Sequence, residues 1–224
     1  MIEYQASETF RIIADRLAEE YGSPGHDSLP LGNQSDPVDE LVYIILTVMT
    51  ESGAEDTFAH LRALFPRWES VTAETEVILA EVLRPIGLYH QRARRLVSMF
   101  DVIREREGSI DLRRLKALPD DEIEAYLSSL PGVGKKVARC VMLYSFRRNV
   151  FPVDTHVLRV LKRLGFASGD LRLTASQDAL QKQVPEILRF TLHVNLVVHG
   201  RTVCRARKPR CADCVLSSRC PSAS

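Results

Sequence analysis

The sequence has little cysteine over most of its length and no long run of apolar residues. Five cysteines occur among the 224 residues, and four of them lie within the last 21. The longest apolar stretch, Leu41 to Val48 with an interruption at Thr47, is far shorter than the roughly 20 residues that span a bilayer. The first ten residues carry no pattern of an export signal. We therefore expect a soluble protein in a reducing compartment, without a disulfide scaffold or a membrane partner.

The composition shows neither low complexity nor an internal repeat. Apolar residues make up 45% of the chain and charged residues 26%, both close to globular averages. These values exclude a disordered tail and a collagen-like chain. A length of 224 residues is enough for one large domain or two small ones with their own hydrophobic core.

Charge is divided unequally along the chain, although the formal net charge is only +1. Residues 1–130 contain 13 Lys or Arg against 24 Asp or Glu, and residues 131–224 contain 17 against 5, so the two parts carry −11 and +12. A bipolar surface with one solvated face of each sign would produce this pattern. A basic part of this size favours instead a surface that binds a polyanion.

The four C-terminal cysteines form the pattern C-x6-C-x2-C-x5-C. Four thiols on one short segment of a chain without an export signal indicate a metal centre rather than disulfides. Tetrahedral zinc and a [4Fe–4S] cluster both accept four thiolates. Only Cys211 and Cys214 form the short pair that zinc sites use twice, and the longer gaps on either side favour the bulkier cluster. Zinc stays open as an alternative.

Hydrophobic periodicity near 3.6 residues predicts helices almost throughout the chain and hence an all-α fold. Phe10, Ile13 and Leu17 mark the first helix, and a polar, turn-rich linker follows at 22–35. Further helical patterns cover 75–84, 91–106, 121–129, 135–147, 154–164, 174–183 and 185–198. The last of these contains enough Val, Phe and Thr to form a strand. No hairpin signal flanks it, so we predict a helix there as well.

Two helix starts are marked by capping residues. Asp36 followed by Pro37 predicts the start of a helix over 37–50, which is apolar nearly all round and therefore belongs in the core. Ser52 with Glu55 predicts a capping box for the helix that follows.

A Pro-Gly-Val-Gly turn separates two helical patterns at residues 131–134. Gly132 and Gly134 allow a tight turn and a close backbone approach, and the N–H groups at the start of the second helix can bind a phosphate oxygen. Lys135 and Arg139 add positive charge next to that helix start. A glycine-rich helix connection is often only a connection, but the basic charge of this part of the chain favours contact with a phosphate backbone.

Two residues near this turn are candidates for chemistry. Lys136 could attack a sugar carbon as a neutral amine and form a Schiff base. Asp154, which lies 18 residues further on, is placed as the N-cap of the next helix, and it could also stabilise positive charge that develops on a sugar. His156, taken alone, is more typical of a structural histidine.

Three segments together resemble the helix-hairpin-helix DNA glycosylases of the endonuclease III type. They are LPGVGKK (130–136), VDTH (153–156) and HGRTVCRARKPRC (199–211) with the cysteine pattern that follows. The similarity is strongest over 130–220, and IGLYHQRARRL at 86–96 extends it into the first half. The resemblance implies an all-α fold of two helical domains that flank a DNA-binding cleft, with the damaged base flipped out of the duplex. It also implies a C-terminal iron–sulfur cluster loop and makes zinc a minor alternative.

The resemblance further implies the domain boundaries and the roles of individual residues. A helical barrel domain would cover 31–150, with the helix-hairpin-helix at about 121–147, and residues 1–30 plus 151–224 would form a discontinuous cluster domain. Lys136 aligns with the lysine that attacks C1′ and Asp154 with the assisting carboxylate. The [4Fe–4S] ligands would be Cys204, Cys211, Cys214 and Cys220. The DNA-binding residues would be Gly132, Gly134, Lys135, Arg139, Met49, Leu88, Arg205, Arg207, Lys208 and Arg210.

The sequence departs from the family pattern at two places. Typical members have LSAQATD where this chain has LTVMTES at 46–52, so Met49 replaces a Gln and can fill a vacated base position only by packing. Glu51 belongs to the same segment. The second departure is Ser128, which occupies a position where members of the family commonly have an acidic residue. Both changes bear on which damaged base the protein accepts.

We therefore expect a bifunctional base excision repair enzyme, a DNA glycosylase with AP lyase activity that removes oxidised pyrimidines. Its partner would be duplex DNA with damaged bases or abasic sites, and we expect a monomer in the cytoplasm at the nucleoid. Two alternatives stay open: a pyrimidine-mismatch glycosylase and a lesion-binding homologue without activity. An adenine-specific mismatch glycosylase fits less well, because those enzymes lack this lysine and carry a Glu where this chain has Tyr43 to Ile45.

Overall fold

The structure is a computed structural model that describes residues 2–26, 30–50 and 52–223. The middle of the predicted linker, residues 27–29, and Glu51 lie outside the described residues. Throughout the described part the regular structure is helical, which confirms the predicted all-α fold, and none of the helices found there is long and apolar enough to cross a membrane. The helices are α1 (Ile2–Tyr21), α2 (Pro37–Thr47), α3 (Ala54–Leu64), α4 (Glu76–Leu83), α5 (Tyr89–Glu107), α6 (Asp120–Ser128), α7 (Lys135–Tyr144), α8 (Thr155–Arg163), α9 (Leu173–Gln183) and α10 (Arg189–Thr202), joined by short 3-10 turns.

The chain divides into two compact units. One consists of Gly32–Arg147 and contains α2 to α7, and the other consists of Met1–Leu31 with Arg148–Ser224 and contains α1 and α8 to α10. In the unit of α2 to α7, α2 packs against α3 and α7, α4 against α5, and α6 against α7. Leu41, Leu46, Leu96 and Phe100 are completely buried in that unit. Burial of such side chains is the main favourable contribution to folding.

In the other unit, α1 packs against α10, and α10 also packs against α8. Phe10 and Leu17 on α1 are fully buried in a core that includes Leu161 of α8 and Leu196 of α10. Arg16 donates to the carbonyl oxygen of Val215 at 3.2 Å and to Ser218 Oγ at 2.8 Å. These contacts bring the first helix together with the final residues of the described chain.

Helix α2 begins as predicted and ends earlier than predicted. The side chain of Asp36 accepts hydrogen bonds from the N–H groups of Val38 and Asp39, and nine of the eleven residues of α2 are buried. The helix stops at Thr47 rather than continuing to Thr50, whose hydroxyl donates to Leu46 O at 2.6 Å. That carbonyl is one of the four that a helix leaves unpaired at its C-terminus. The side chain therefore closes the helix in place of another turn.

Two further helix predictions are decided by the structure. Helix α3 begins after Gly53, which has φ 85° and no capping side-chain hydrogen bond, so the predicted capping box of Ser52 with Glu55 is wrong. A glycine in the left-handed region starts the helix there instead. The segment that could have formed a strand is a 3-10 turn at Glu186–Leu188 followed by α10, which confirms the predicted helix.

Candidate functional site

The turn between α6 and α7 requires glycine at one of its two glycine positions. Gly132 has φ +80°, and a Cβ at this position would lie 3.3 Å from Cδ of Arg95. Gly134 is the N-cap of α7 with extended backbone, and a Cβ there would meet open space. Gly134 has no side chain that could accept from the N–H groups of the first turn, which lie at the positive end of the helix dipole. This is the arrangement that binds an anion.

The predicted cations of the hairpin are arranged around one carboxylate. Lys135 is exposed and lies 3.5 Å from Glu124 Oε1, whereas Arg139 is 3% exposed and lies 2.5 Å from Glu124 Oε2. Arg139 was predicted to bind DNA, but in this structure its side chain is removed from solvent and joins α7 to α6. The predicted phosphate contact therefore depends on the backbone of the turn and on Lys135.

Lys136 is partly buried in the first turn of α7. Its positive charge acts on Glu40, a carboxylate on α2 that is completely buried. Glu40 accepts from Asn33 Nδ2 and from the backbone N–H of Gln34, each at 2.6 Å. Burial raises the pKa of Glu40 to about 8, while the two hydrogen bonds and the charge of Lys136 lower it. Nothing in the sequence marks Glu40 as buried, because an acidic residue in the first turn of a helix is ordinarily solvated.

Asp154 is the N-cap of α8, as predicted, and its carboxylate accepts from the N–H of Val157 at 2.7 Å. His156, the second residue of the same helix, is half-buried, and its Nδ1 atom lies 3.1 Å from the guanidinium of Arg159. Burial lowers the pKa of His156, which favours the neutral ring that can accept from a guanidinium. The structure thus agrees with a structural role for this histidine.

Met49 and Leu88 have two unusual properties in common. Met49 has φ 56° and is 84% exposed, and Leu88 has φ 52° and is 52% exposed. A left-handed backbone is costly for a residue that has a Cβ, and exposure of a large apolar side chain gains nothing in the free protein. Such strain is found at functional sites, where the surrounding structure maintains it.

Arg92 on α5 is a buried cation that no sequence pattern predicted. It is 5% exposed, and its guanidinium donates to five oxygen atoms: Ile45 O at 2.8 Å, Leu46 O at 3.5 Å, Val48 O at 2.7 Å, Thr50 Oγ1 at 2.9 Å and Gly87 O at 3.0 Å. A signal existed in the sequence, since the segment 86–96 belongs to the family pattern, but nothing in it distinguishes Arg92 from Arg94 or Arg95.

Ser128, the other departure from the family pattern, lies at the end of α6. Its Oγ is buried without a hydrogen-bond partner in the described structure. A buried hydroxyl without a partner is unusual in proteins.

The four C-terminal cysteines lie near one another as free thiols. The pKa of Cys214 is raised first by burial and then by the charges of Cys204, Cys220 and Cys211. The other three thiols therefore lie within electrostatic reach of Cys214. Among the described residues, no group of three or more His, Cys, Asp or Glu side chains is placed to hold a metal ion.

Basic and polar side chains support these cysteines. Arg163 of α8 donates to Cys204 Sγ at 3.2 Å and to Arg205 O at 2.8 Å. The Nε2 atom of the buried His199 lies 3.5 Å from Cys214 Sγ. Burial lowers the pKa of His199 to about 4, so its ring is neutral. The loop between Cys204 and Cys211 carries exposed cations at Arg205, Arg207, Lys208 and Arg210, the last of which pairs with Asp213 at 2.8 Å.

The helical fold and the glycine hairpin before α7 define a helix-hairpin-helix protein, and the cysteine loop adds exposed cations to it. The family described as HhH-GPD superfamily base excision DNA repair protein matches residues 44–186. The chain therefore belongs to the HhH-GPD superfamily.

Relatives of known name agree with this assignment. Endonuclease III of Escherichia coli strain K12 is 31% identical over 192 residues, which are 84% of this chain and 85% of that protein. A solved structure of a non-covalent Endonuclease III–DNA complex aligns with 96% of this chain and 95% of its own at a TM-score of 0.81 and 25% identity. A trapped Endonuclease III–DNA covalent intermediate aligns at a TM-score of 0.79, also with 25% identity and 96% of each chain. The chain spans 59 to 63% of the length of the first curated relatives that it matches.

Proposed function

We propose that this protein is a bifunctional DNA glycosylase with AP lyase activity that removes oxidised pyrimidines from duplex DNA in the nucleoid. The observation that carries the proposal is the position of Lys136. A partly buried amine stands in the first turn of the helix whose N-terminus can bind a DNA phosphate, in a chain of the HhH-GPD superfamily. A phosphate bound there would hold the sugar of the damaged nucleotide near this amine.

In the proposed reaction, the neutral Nζ of Lys136 attacks C1′ and the bond from C1′ to the damaged base breaks, with a proton going to the departing base. Opening of the sugar ring gives a protonated imine, which acidifies the C2′ hydrogen. Loss of that proton breaks the C3′–O3′ bond, and water then releases the lysine. Asp154 would stabilise the positive charge on the sugar.

We further propose that Cys204, Cys211, Cys214 and Cys220 bind a [4Fe–4S] cluster. The cysteine spacing, with one short pair between two longer gaps, supports a cluster over a single zinc ion. The cluster would supply cross-links that hold the loop of Arg205 and Arg207 in one conformation. Iron and acid-labile sulfide analysis of the purified protein tests this assignment, with about four iron atoms per chain expected; zinc without iron contradicts it.

Borohydride trapping on a duplex with one thymine glycol tests the catalytic proposal. The expected result is a covalent protein–DNA band that disappears in Lys136→Ala and persists in Lys135→Ala, since Lys135 carries a similar charge but lies one residue earlier on α7. A band only on a duplex with a mismatched thymine supports a pyrimidine-mismatch glycosylase instead. Binding without a band on either duplex or on an abasic site indicates a lesion-binding protein without activity.

A further inference from the structure

Two turns in the unit of α2 to α7 each present an exposed apolar residue with a left-handed backbone. We define the Met49 turn as residues 48–50 and the Leu88 turn as residues 87 and 88. In the free protein both side chains are largely in water, at 84% and 52% exposure. The backbone of each is maintained against its local preference, at φ 56° and φ 52°.

The same guanidinium holds both turns. Arg92 donates to Val48 O and Thr50 Oγ1 in the Met49 turn, at 2.7 and 2.9 Å. Through Nε it donates to Gly87 O in the Leu88 turn at 3.0 Å. The two remaining bonds reach Ile45 O and Leu46 O, so all five N–H groups of the guanidinium have an acceptor. Each acceptor is an uncharged oxygen.

This arrangement is rigid for two reasons. The donors of a guanidinium lie in one plane at fixed angles, so a movement of either turn breaks bonds to the other. The site is also nearly dry, with Arg92 at 5% exposure, and a broken bond would leave a buried carbonyl without a partner. Lysine could carry the same charge there but could not bind both turns in this geometry.

On the basis of the proposed function, we infer that Arg92 positions Met49 and Leu88 as one coupled pair of residues that enter the DNA duplex where a base has been lost. Arg92 itself touches neither the base nor the sugar. It acts by holding the backbone of the two turns that carry these side chains, so that both can enter the duplex together. Because the backbone of both turns is already held in place, insertion costs conformational freedom only in the two side chains.

A double-mutant cycle tests the inference. The measurement is fluorescence anisotropy with two duplexes, one with a tetrahydrofuran abasic analogue and one intact. The proteins are the wild type, Arg92→Lys, the doubly substituted Met49→Gly with Leu88→Gly, and the triple variant. We expect Arg92→Lys to weaken binding of the abasic duplex about tenfold in the wild type and less than about twofold without the two side chains. Binding of the intact duplex should change less than about twofold in all of them.

Controls separate this role from general destabilisation. Arg94→Lys lies on the same helix at an exposed position and should leave binding unchanged. Thermal melting shows whether Arg92→Lys folds. If it does not fold, Thr50→Val replaces it in the cycle, because this variant removes a single acceptor of Arg92. Its expected effect is an affinity for the abasic duplex about threefold weaker.

The outcomes distinguish the coupled role of Arg92 from the proposed glycosylase function on which it rests. An equal effect of Arg92→Lys with and without Met49 and Leu88 overturns the coupled role, and so does no effect in the wild type. If the wild type does not prefer the abasic duplex to the intact one, the proposed function fails and the inference fails with it. Preference in the wild type together with a coupling of at least about fivefold supports both.

Discussion

At the residue scale, two carboxyl groups have structural roles, and one of them also has a proposed chemical role. Asp154 caps α8 through Val157 N–H, and the proposed mechanism assigns its charge to the sugar. Glu40 is buried and joins α2 to the segment of Asn33 and Gln34. Such roles can be separated by isosteric substitutions, because the hydrogen bond is preserved while the charge is removed.

Asp154→Asn should slow base release without a loss of stability. Asparagine caps a helix about as well as aspartate, so the melting temperature should stay close to that of the wild type. Without the charge, single-turnover release of thymine glycol should fall on the order of 10²-fold. Asp36→Asn, at the N-cap of α2, is the matched control and should leave the rate unchanged. Equal rates for both variants would remove Asp154 from the mechanism.

Glu40 should make the protein less stable as the pH rises. Its folded pKa of about 8 lies above the ordinary value of 4.5, so the folded state holds a proton that the unfolded state has lost. The stabilisation is complete below pH 4.5 and is lost as the pH rises through about 8, by an amount on the order of a few kcal/mol.

Glu40→Gln should therefore flatten the pH dependence of the free energy of unfolding between pH 5 and 8. The amide keeps an oxygen acceptor for one of the two N–H donors, from Asn33 or Gln34, and cannot ionise. Urea denaturation at several pH values measures the slope. An unchanged slope in the variant would show that other groups cause the pH dependence.

At the scale of elements, α8 supports the C-terminal loop by its last turn. Arg163 donates to the carbonyl oxygens of Arg205 and Ala206 and to Cys204 Sγ, at 2.8, 3.2 and 3.2 Å. One residue earlier, Lys162 turns to another part of the chain and donates to Gly169 O at 2.7 Å. The helix thus directs one of two neighbouring cations to the cysteine loop.

Arg163→Met should weaken retention of the proposed cluster. Loss of a hydrogen bond to a ligand sulfur and to the adjacent carbonyls should accelerate release of iron to a chelator about 10- to 100-fold. Lys162→Met is the control and should release iron at the wild-type rate. The release is followed by the absorbance of the iron–chelator complex, and equal rates for the two variants would contradict a supporting role for Arg163.

At the scale of the whole molecule, the net charge of +1 conceals a basic C-terminal part. If Arg205 and Arg207 contact phosphates, replacement of both by Gln should reduce the slope of log K against log salt concentration by about 2, since each contact contributes about 0.9. Arg113→Gln, whose cation pairs with Asp111 at 2.5 Å, is the control and should preserve the slope. Anisotropy titrations between 50 and 300 mM salt measure it, and an unchanged slope in the double variant would place these arginines away from DNA.

The sequence by itself determined the local features of this protein. Helical periodicity, the capping of α2 by Asp36, the cap at Asp154 and the cysteine spacing depend on residues within a few positions of one another, so their pattern can be read along the chain. The resemblance to a glycosylase family rests on the same local motifs, and the family match agrees with it.

Only the tertiary structure decided which partner each buried polar group has. Arg92 is bonded to oxygens more than 40 positions earlier in the chain, and Arg139 is neutralised by Glu124, 15 positions before it. Nothing in the sequence separates these arginines from their exposed neighbours. The period of a helix predicts which face is buried, but it does not predict which hydrogen-bond acceptors lie on the element that packs against that face. Packing brings the acceptor to the donor, and burial then makes the hydrogen bond obligatory.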